Sequence, residues 1–232
     1  MLAEHEHPYV YAVGDAVAGS MWSHKATAEG IVAAEHVMGL KSQKEPSDRE
    51  KGAEWWHQSA AGGGALLDYC CYGACLSRWY LGEPAVAAMG MRANLTSHYG
   101  DAEDNAVITV RFPNALAVLE GTWSSDIPGV PSGPIVYGTE GTLVGTRGGV
   151  RIYTSRGYGI RDPDRVEEGE PLPTGRQTPA EEFVHHLETG EPLRPTLDPM
   201  QNLEVMAILD AGIRSAISGR IELVSNAVWC IG

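Results

Sequence analysis

Six short apolar runs follow one another between residues 85 and 154, and this uninterrupted series constrains the fold more than any other feature. Turn residues separate the runs, which cover 85–91, 105–112, 115–123, 135–137, 142–145 and 150–154. Short apolar runs bounded in this way are typical of β-strands. Helical segments precede and follow the series, so the order predicts an α+β fold rather than alternating parallel units. We expect an open, mainly antiparallel mixed sheet with helices on one face.

Three predicted helices flank the strands. The first covers residues 65–81. The second starts at a capping box in residues 178–181, with Pro at its first position, and runs to Gly190. The third starts at 198–199, where Asp precedes Pro, and stops at Gly219. Its apolar pattern predicts inward side chains at Leu203, Met206, Ile213 and Ile217.

Composition divides the chain into four parts. Residues 1–40 are predicted to be a strand–helix fragment, and 41–54 are a charged linker with almost no apolar content. Residues 55–226 form the main domain, and 227–232 a short tail. Within the main domain, residues 155–177 are polar and rich in Pro and Gly, so we expect an exposed loop there. A chain of 232 residues can bury a sizeable core.

The charge balance and cysteine spacing exclude several classes of partner. The chain has 17 basic and 30 acidic residues, for a formal charge of −13, which argues against nucleic-acid binding. No apolar run is long enough to span a bilayer, and the acidic N-terminus is not a signal peptide. Three of the four cysteines, Cys70, Cys71 and Cys75, lie within six residues. We interpret them as small buried side chains in a reducing cytoplasm, and we expect no metal site.

One short motif carries most of the chemical information. Gly62, Gly63 and Gly64 lead directly into the first predicted helix, which carries Asp68 and Tyr72 four residues apart. This spacing places the carboxylate and the phenol on one face of the helix, one turn apart. A glycine loop followed by such a pair indicates an active-site wall, because glycine lets another molecule approach the backbone closely. The alternative is structural: the glycines form a flexible helix entry and Tyr72 a core aromatic.

A family resemblance depends on the same residues. The pattern Gly-Gly-Gly-x-x-x-Asp, followed by Arg-Trp-x-x-Gly, occurs at Gly62, Gly63, Gly64, Asp68, Arg78, Trp79 and Gly82. With this pattern, residues 55–224 resemble the C-terminal domain of the glucose-fructose oxidoreductase / inositol dehydrogenase / MocA (Gfo/Idh/MocA) family. Most of the family has a histidine at the position of Tyr72. The glucose-fructose oxidoreductase branch, like this chain, has a tyrosine there.

The resemblance implies a function. The family transfers hydride between NAD(P) and a hydroxyl-bearing carbon of a sugar, cyclitol or polyol. By resemblance, Tyr72 moves the hydroxyl proton, and Asp68 orients the substrate or tunes the neighbouring groups. Gly62–Gly64 form the substrate loop. The resemblance also implies a homo-oligomer formed through the sheet.

The nucleotide-binding half of such an enzyme has no counterpart in the sequence. No Gly-x-Gly-x-x-Gly follows a strand. The only segment that resembles the family's Glu-Lys-Pro is Lys44-Glu45-Pro46, whose order differs. We therefore expect a substrate-binding half that is inactive alone and works with a separate nucleotide-binding chain. A non-catalytic oligomerisation or ligand-binding module and a fused remnant stay open as alternatives.

The N-terminal part resembles a different family. Residues 8–40, with Gly14 and Asp15 after a short strand, resemble one segment of dihydrolipoamide dehydrogenase. In those flavoproteins the aspartate binds the ribityl chain of FAD, which makes Gly14 and Asp15 a flavin-like remnant. The other flavin and redox motifs of that family are absent from the sequence. A flavin disulfide oxidoreductase fragment is therefore the disfavoured alternative, and FAD binding is not expected.

Overall fold

The computed structural model describes residues 55–95, 100–123, 133–146, 148–155, 159 and 162–225. Within these residues the chain forms three α-helices and eight β-strands, which confirms the predicted α+β class. The helices are α1 (Ala65–Leu81), α2 (Pro179–Thr189) and α3 (Pro199–Ser218). The strands are β1 (Ala87–Ala93), β2 (Asn105–Arg111), β3 (Leu116–Thr122), β4 (Ile135–Tyr137), β5 (Thr142–Thr146), β6 (Gly149–Tyr153), β7 (Arg165–Glu168) and β8 (Glu222–Leu223).

The strands form two antiparallel sheets of four, with the orders β3-β2-β1-β8 and β4-β5-β6-β7. The prediction of a mainly antiparallel arrangement is confirmed, and every pairing in the described residues is antiparallel. In β2 the side chains of Ala106, Ile108 and Val110 are buried, while Val107 and Thr109 on the opposite face are exposed. The first sheet therefore covers the core with one face and leaves the other open.

Helices α1 and α3 pack on the inner face of the first sheet, α1 over β3 and α3 over β1. Two glycines allow α3 to lie close. A Cβ on Gly90 would stand 2.3 Å from the carbonyl oxygen of Gly212, and one on Gly212 would stand 2.6 Å from Cδ1 of Ile108. The largest fully buried apolar side chains in this layer are Phe112, Leu66, Ile108, Ile208, Leu209 and Val110. Burial of each such side chain contributes about 1.5–3 kcal/mol.

The helix boundaries agree with the sequence signals. Helix α1 ends at Gly82, α2 at Gly190 and α3 at Gly219, and each of these glycines has a positive φ, between 67° and 74°. Thr178 and Glu181 form the predicted capping box at the start of α2. These signals lie next to the helix ends, so they determine the helix boundaries without contacts from the rest of the fold.

Two details of the prediction were wrong. Leu203 and Ile217 point outward, with exposed fractions of 46% and 69%. The face of α3 that packs on the sheet instead carries Val205, Ile208, Leu209 and Gly212, because only the side with Gly212 can approach Gly90 closely. Residues 165–168 form strand β7 where a loop was expected.

The flavin-like fragment with Gly14 and Asp15, the linker at 41–54 and the tail with Cys230 lie outside the described residues. Among the described helices, none is long and apolar enough to cross a membrane.

Candidate functional site

Asp68 and Tyr72 lie one turn apart on α1 and differ in exposure. Asp68 stands in the first turn of the helix and is partly buried. Tyr72 is 60% exposed and is therefore not a core aromatic. The structure thus brings a half-buried carboxylate next to a phenol that a ligand can reach.

The glycine loop before α1 packs tightly against its own chain. Gly62 has a φ of +79°, which favours glycine, and its amide donates to the carbonyl of Ser59 at 3.1 Å. A Cβ on Gly63 would stand 2.3 Å from the Trp56 carbonyl oxygen, and one on Gly64 would stand 2.1 Å from the Glu103 carboxylate. The glycines are therefore required where the loop contacts these two groups.

Glu103 occupies the N-terminus of α1. The amide of Ala65 donates to the Glu103 carbonyl at 2.9 Å, and the amide of Leu66 donates to Glu103 Oε1 at 3.3 Å. Arg92 pairs with the same carboxylate at 3.3 Å. A helix N-terminus after a glycine loop is where a nucleotide pyrophosphate would bind. Here a buried carboxylate already accepts from that helix end and would repel phosphate, so the loop does not fit the dinucleotide.

Two aromatic residues complete the site, and neither was predicted as part of it. The indole Nε1–H of Trp123 donates to Asp68 Oδ2 at 2.9 Å. The His57 ring meets the indole edge to face, with centroids 5.4 Å apart and planes at 73°. Residues 57, 68 and 123 belong to three separate segments, so no local spacing in the sequence links them.

The close contact between α1 and β3 brings Trp123 to Asp68. A Cβ on Gly121 would stand 2.5 Å from the Ala65 carbonyl oxygen, and one on Gly73 would stand 3.0 Å from Leu119 Cδ2. The two glycines therefore let helix and strand lie in direct contact. Trp123 follows β3 immediately, and its amide donates to the Asp104 carbonyl at 2.8 Å, which fixes the backbone from which the indole extends.

The cysteines of α1 lie behind this site. Cys70 is fully buried, and burial raises the pKa of its thiol to about 12. Burial, as the larger cause, and the nearby Asp68 carboxylate, as the second, raise the pKa of Cys71 to about 11. These thiols remain protonated at neutral pH and pack as apolar groups. In the part of the chain that the structure describes, no three potential metal ligands cluster.

Comparison with known proteins agrees with this architecture. The family model for the GFO/IDH/MocA C-terminal domain matches residues 33–144. Aldose-aldose oxidoreductase from Caulobacter crescentus, solved in complex with glycerol, is 21% identical with a TM-score of 0.57, over 75% of this chain and 52% of that protein. GenD2 from gentamicin A biosynthesis, in complex with NAD, is 28% identical with a TM-score of 0.52, over 74% and 51%.

A third structure is WlbA dehydrogenase from Bordetella pertussis, in complex with NADH and UDP-GlcNAcA. It is 20% identical with a TM-score of 0.51, over 70% of this chain and 47% of that protein. The chain thus spans about half the length of the solved proteins it matches. The family model matches residues 33–144 and the solved structures share the fold of the described residues, so the chain resembles the C-terminal domain of the GFO/IDH/MocA family.

Proposed function

We propose that this chain forms the substrate-binding half of an NAD(P)-dependent oxidoreductase that acts on a hydroxyl group of a sugar, cyclitol or polyol. The observation that carries the proposal is the pair on α1. The Asp68 carboxylate, which accepts a hydrogen bond from the Trp123 indole, lies one helical turn from the exposed phenol of Tyr72. The family of the domain supports the reaction class, and the glycerol and UDP-GlcNAcA complexes of its structural relatives support the ligand class.

Each residue of the pair has a distinct role in this proposal. Asp68 Oδ2 accepts from Trp123, and within the described residues Oδ1 accepts no hydrogen bond. Oδ1 can therefore bind a substrate hydroxyl. Tyr72, one turn away, relays the proton of the reacting hydroxyl to solvent, because its oxygen accepts that proton while its own O–H proton passes to water. Proton transfer of this kind contributes roughly 10²- to 10⁴-fold to a rate. In the loop Gly62–Gly64, Gly63 and Gly64 support the wall of the site through their close packing, and Gly62 supplies the positive φ of the turn.

The dinucleotide binds elsewhere in this proposal. Because Glu103 fills the N-terminus of α1, the loop before that helix is not its site. Hydride acceptance would be the chemistry that NAD(P) supplies, and the residues that would hold it belong in this proposal to another domain or another chain. The lengths of the relatives support this division, since GenD2 and WlbA each have about as much chain again outside the match.

A reconstitution experiment tests the proposal. The chain is mixed with the part of GenD2 outside the match, and formation of NADH is followed with glycerol, D-glucose and myo-inositol as substrates. We expect activity only in the mixture, and a roughly 10²-fold or greater loss in Tyr72→Phe. Tyr80→Phe is the matched control, because Tyr80 is 49% exposed on the same helix. Equal activity of Tyr72→Phe and Tyr80→Phe would refute the role of the phenol.

The open face of the first sheet supports a homo-oligomer. Met89 and Val118 both flank Thr109, and Met91 pairs with Val107, so an apolar strip crosses β1, β2 and β3. The exposed fractions of the four apolar side chains range from 40% to 68%. Exposed apolar strips of this kind mark interfaces, and we propose that a second copy of the chain packs here.

The oligomer proposal has its own test. Met91→Lys places a charge in the strip, at its most exposed apolar position, and is expected to shift the chain to monomer in light scattering after gel filtration. Tyr137→Lys, at a 79% exposed position in the second sheet, is the control. A non-catalytic oligomerisation module would show the same dissociation but no NADH formation in the mixture, which separates the two functions.

A further inference from the structure

Asp68 depends on residues from two other segments for its conformation. Its Oδ2 accepts from the Trp123 indole at 2.9 Å. An indole N–H can only donate, so a buried or half-buried tryptophan needs an acceptor. The partly buried carboxylate provides one, and hydrogen bonds to an ionised group are stronger than neutral ones.

The indole is itself held on two sides. His57 packs edge to face against it, and the His57 carbonyl accepts from the Ala102 amide at 3.2 Å. Gly100 lies so close that a Cβ there would stand 2.3 Å from the same carbonyl oxygen. On the other side, the backbone of Trp123 is bonded to Asp104. These bonds fix the backbone from which the two rings extend, and the edge-to-face contact joins the rings themselves.

We propose that Trp123, held in place by His57, is a positioning residue that fixes the Asp68 carboxylate and leaves Oδ1 for the substrate hydroxyl. This inference rests on the proposed function for its consequence, but the indole–carboxylate contact can be tested without a ligand. Loss of the indole donor frees the carboxylate to rotate and to turn either oxygen away from the substrate. Binding then weakens because the carboxylate must be ordered again when the hydroxyl arrives.

Hydrogen exchange at the indole tests the contact directly. The chain has six tryptophans, so the indole resonance of Trp123 must first be assigned. In a ¹H–¹⁵N spectrum it is the indole resonance that is missing from Trp123→Phe. We expect Asp68→Ala to accelerate exchange of that proton roughly tenfold, because the bond to a charged acceptor is lost. Asp68→Asn keeps an acceptor oxygen and is expected to restore part of the protection. Unchanged exchange in Asp68→Ala would overturn the proposal.

Polyol titration tests the consequence. Glycerol, D-glucose and myo-inositol are titrated against the wild type, Trp123→Phe and Trp79→Phe. Trp79 is the matched control because it lies on the last turns of α1, away from Asp68, and is 43% exposed. We expect Trp123→Phe to weaken binding roughly tenfold and Trp79→Phe to leave it unchanged. Unaltered affinity in Trp123→Phe, for any polyol that the wild type binds, would overturn the positioning role.

The two proposals fail in different ways. If the wild type binds none of the three polyols, the proposed function is refuted, while the exchange rate still decides whether Trp123 holds Asp68. If binding occurs and depends on Asp68 but not on Trp123, the function stands and the positioning role falls.

Discussion

Replacement of Gly121 by alanine should separate α1 from β3. The new Cβ would stand 2.5 Å from the Ala65 carbonyl oxygen, about 0.9 Å short of ordinary contact at 3.4 Å, and 3.0 Å from Tyr69 Cβ. The obstacle is helix backbone, which cannot move aside as a side chain does. Overpacking costs about 1–3 kcal/mol, and the lower entropy of the unfolded alanine chain offsets about 0.4–1 kcal/mol of that. The free energy of unfolding therefore falls by about 0–2.6 kcal/mol. A fall in the middle of this range, about 1.3 kcal/mol, lowers Tm by roughly 3–5 °C in a domain of this size.

Thermal unfolding followed by circular dichroism measures this effect. Gly148→Ala is the matched control, because a Cβ there meets nothing within 4 Å, and it should change stability by less than about 0.5 kcal/mol. The indole resonance of Trp123, two residues after Gly121, should shift in the Gly121→Ala spectrum as well. If Gly121→Ala unfolds at the wild-type temperature, the close packing of α1 on β3 is not what places the site.

Two further predictions concern charge and thiol chemistry. Arg176 donates to buried Glu182 at 2.8 and 2.7 Å, and these bonds lower the pKa of Glu182 from 4.5 to about 2. The stabilisation from this ion pair is therefore complete above pH 4.5 and is lost as the pH falls toward 2. Glu182→Gln should flatten the pH dependence of the urea midpoint in that window. An unchanged slope would contradict the stabilising role of the ion pair. Burial raises the pKa of Cys70 to about 12, so iodoacetamide at pH 8 should label Cys70 only after unfolding. Peptide mass spectrometry measures the labelling. A labelled Cys70 in the native protein would contradict its burial.

Much of the fold follows from local sequence signals. Helix α1 ends where Gly82 allows a positive φ, and α2 starts where Thr178 and Glu181 can cap each other. Strand β7, in contrast, has the sequence Arg-Val-Glu-Glu and is exposed at every position. Its pairing with β6 comes from the backbone, so no apolar alternation marks it in the sequence.

The candidate site likewise has one part that the sequence predicts and another part that depends on tertiary packing. The position of Asp68 one turn before Tyr72 follows from helical spacing, and the sequence predicts it. The contact of Asp68 with Trp123 spans 55 positions along the chain and depends on the packing at Gly73 and Gly121. Of the four side chains of α3 predicted to point inward, Met206 and Ile213 pack against the core, whereas Leu203 and Ile217 do not. The reason is tertiary, since the glycine contact with β1 selects the buried side.

Titration of the purified chain with glycerol, D-glucose and myo-inositol, in the wild type and in Asp68→Ala, tests the central claim most directly. We predict saturable binding of at least one polyol by the wild type and a loss of roughly tenfold or more in affinity in Asp68→Ala, because a charged acceptor for the hydroxyl is removed. Binding that is equally strong in the two proteins would contradict the assignment of this site, and no binding of any of the three by the wild type would contradict the proposed function.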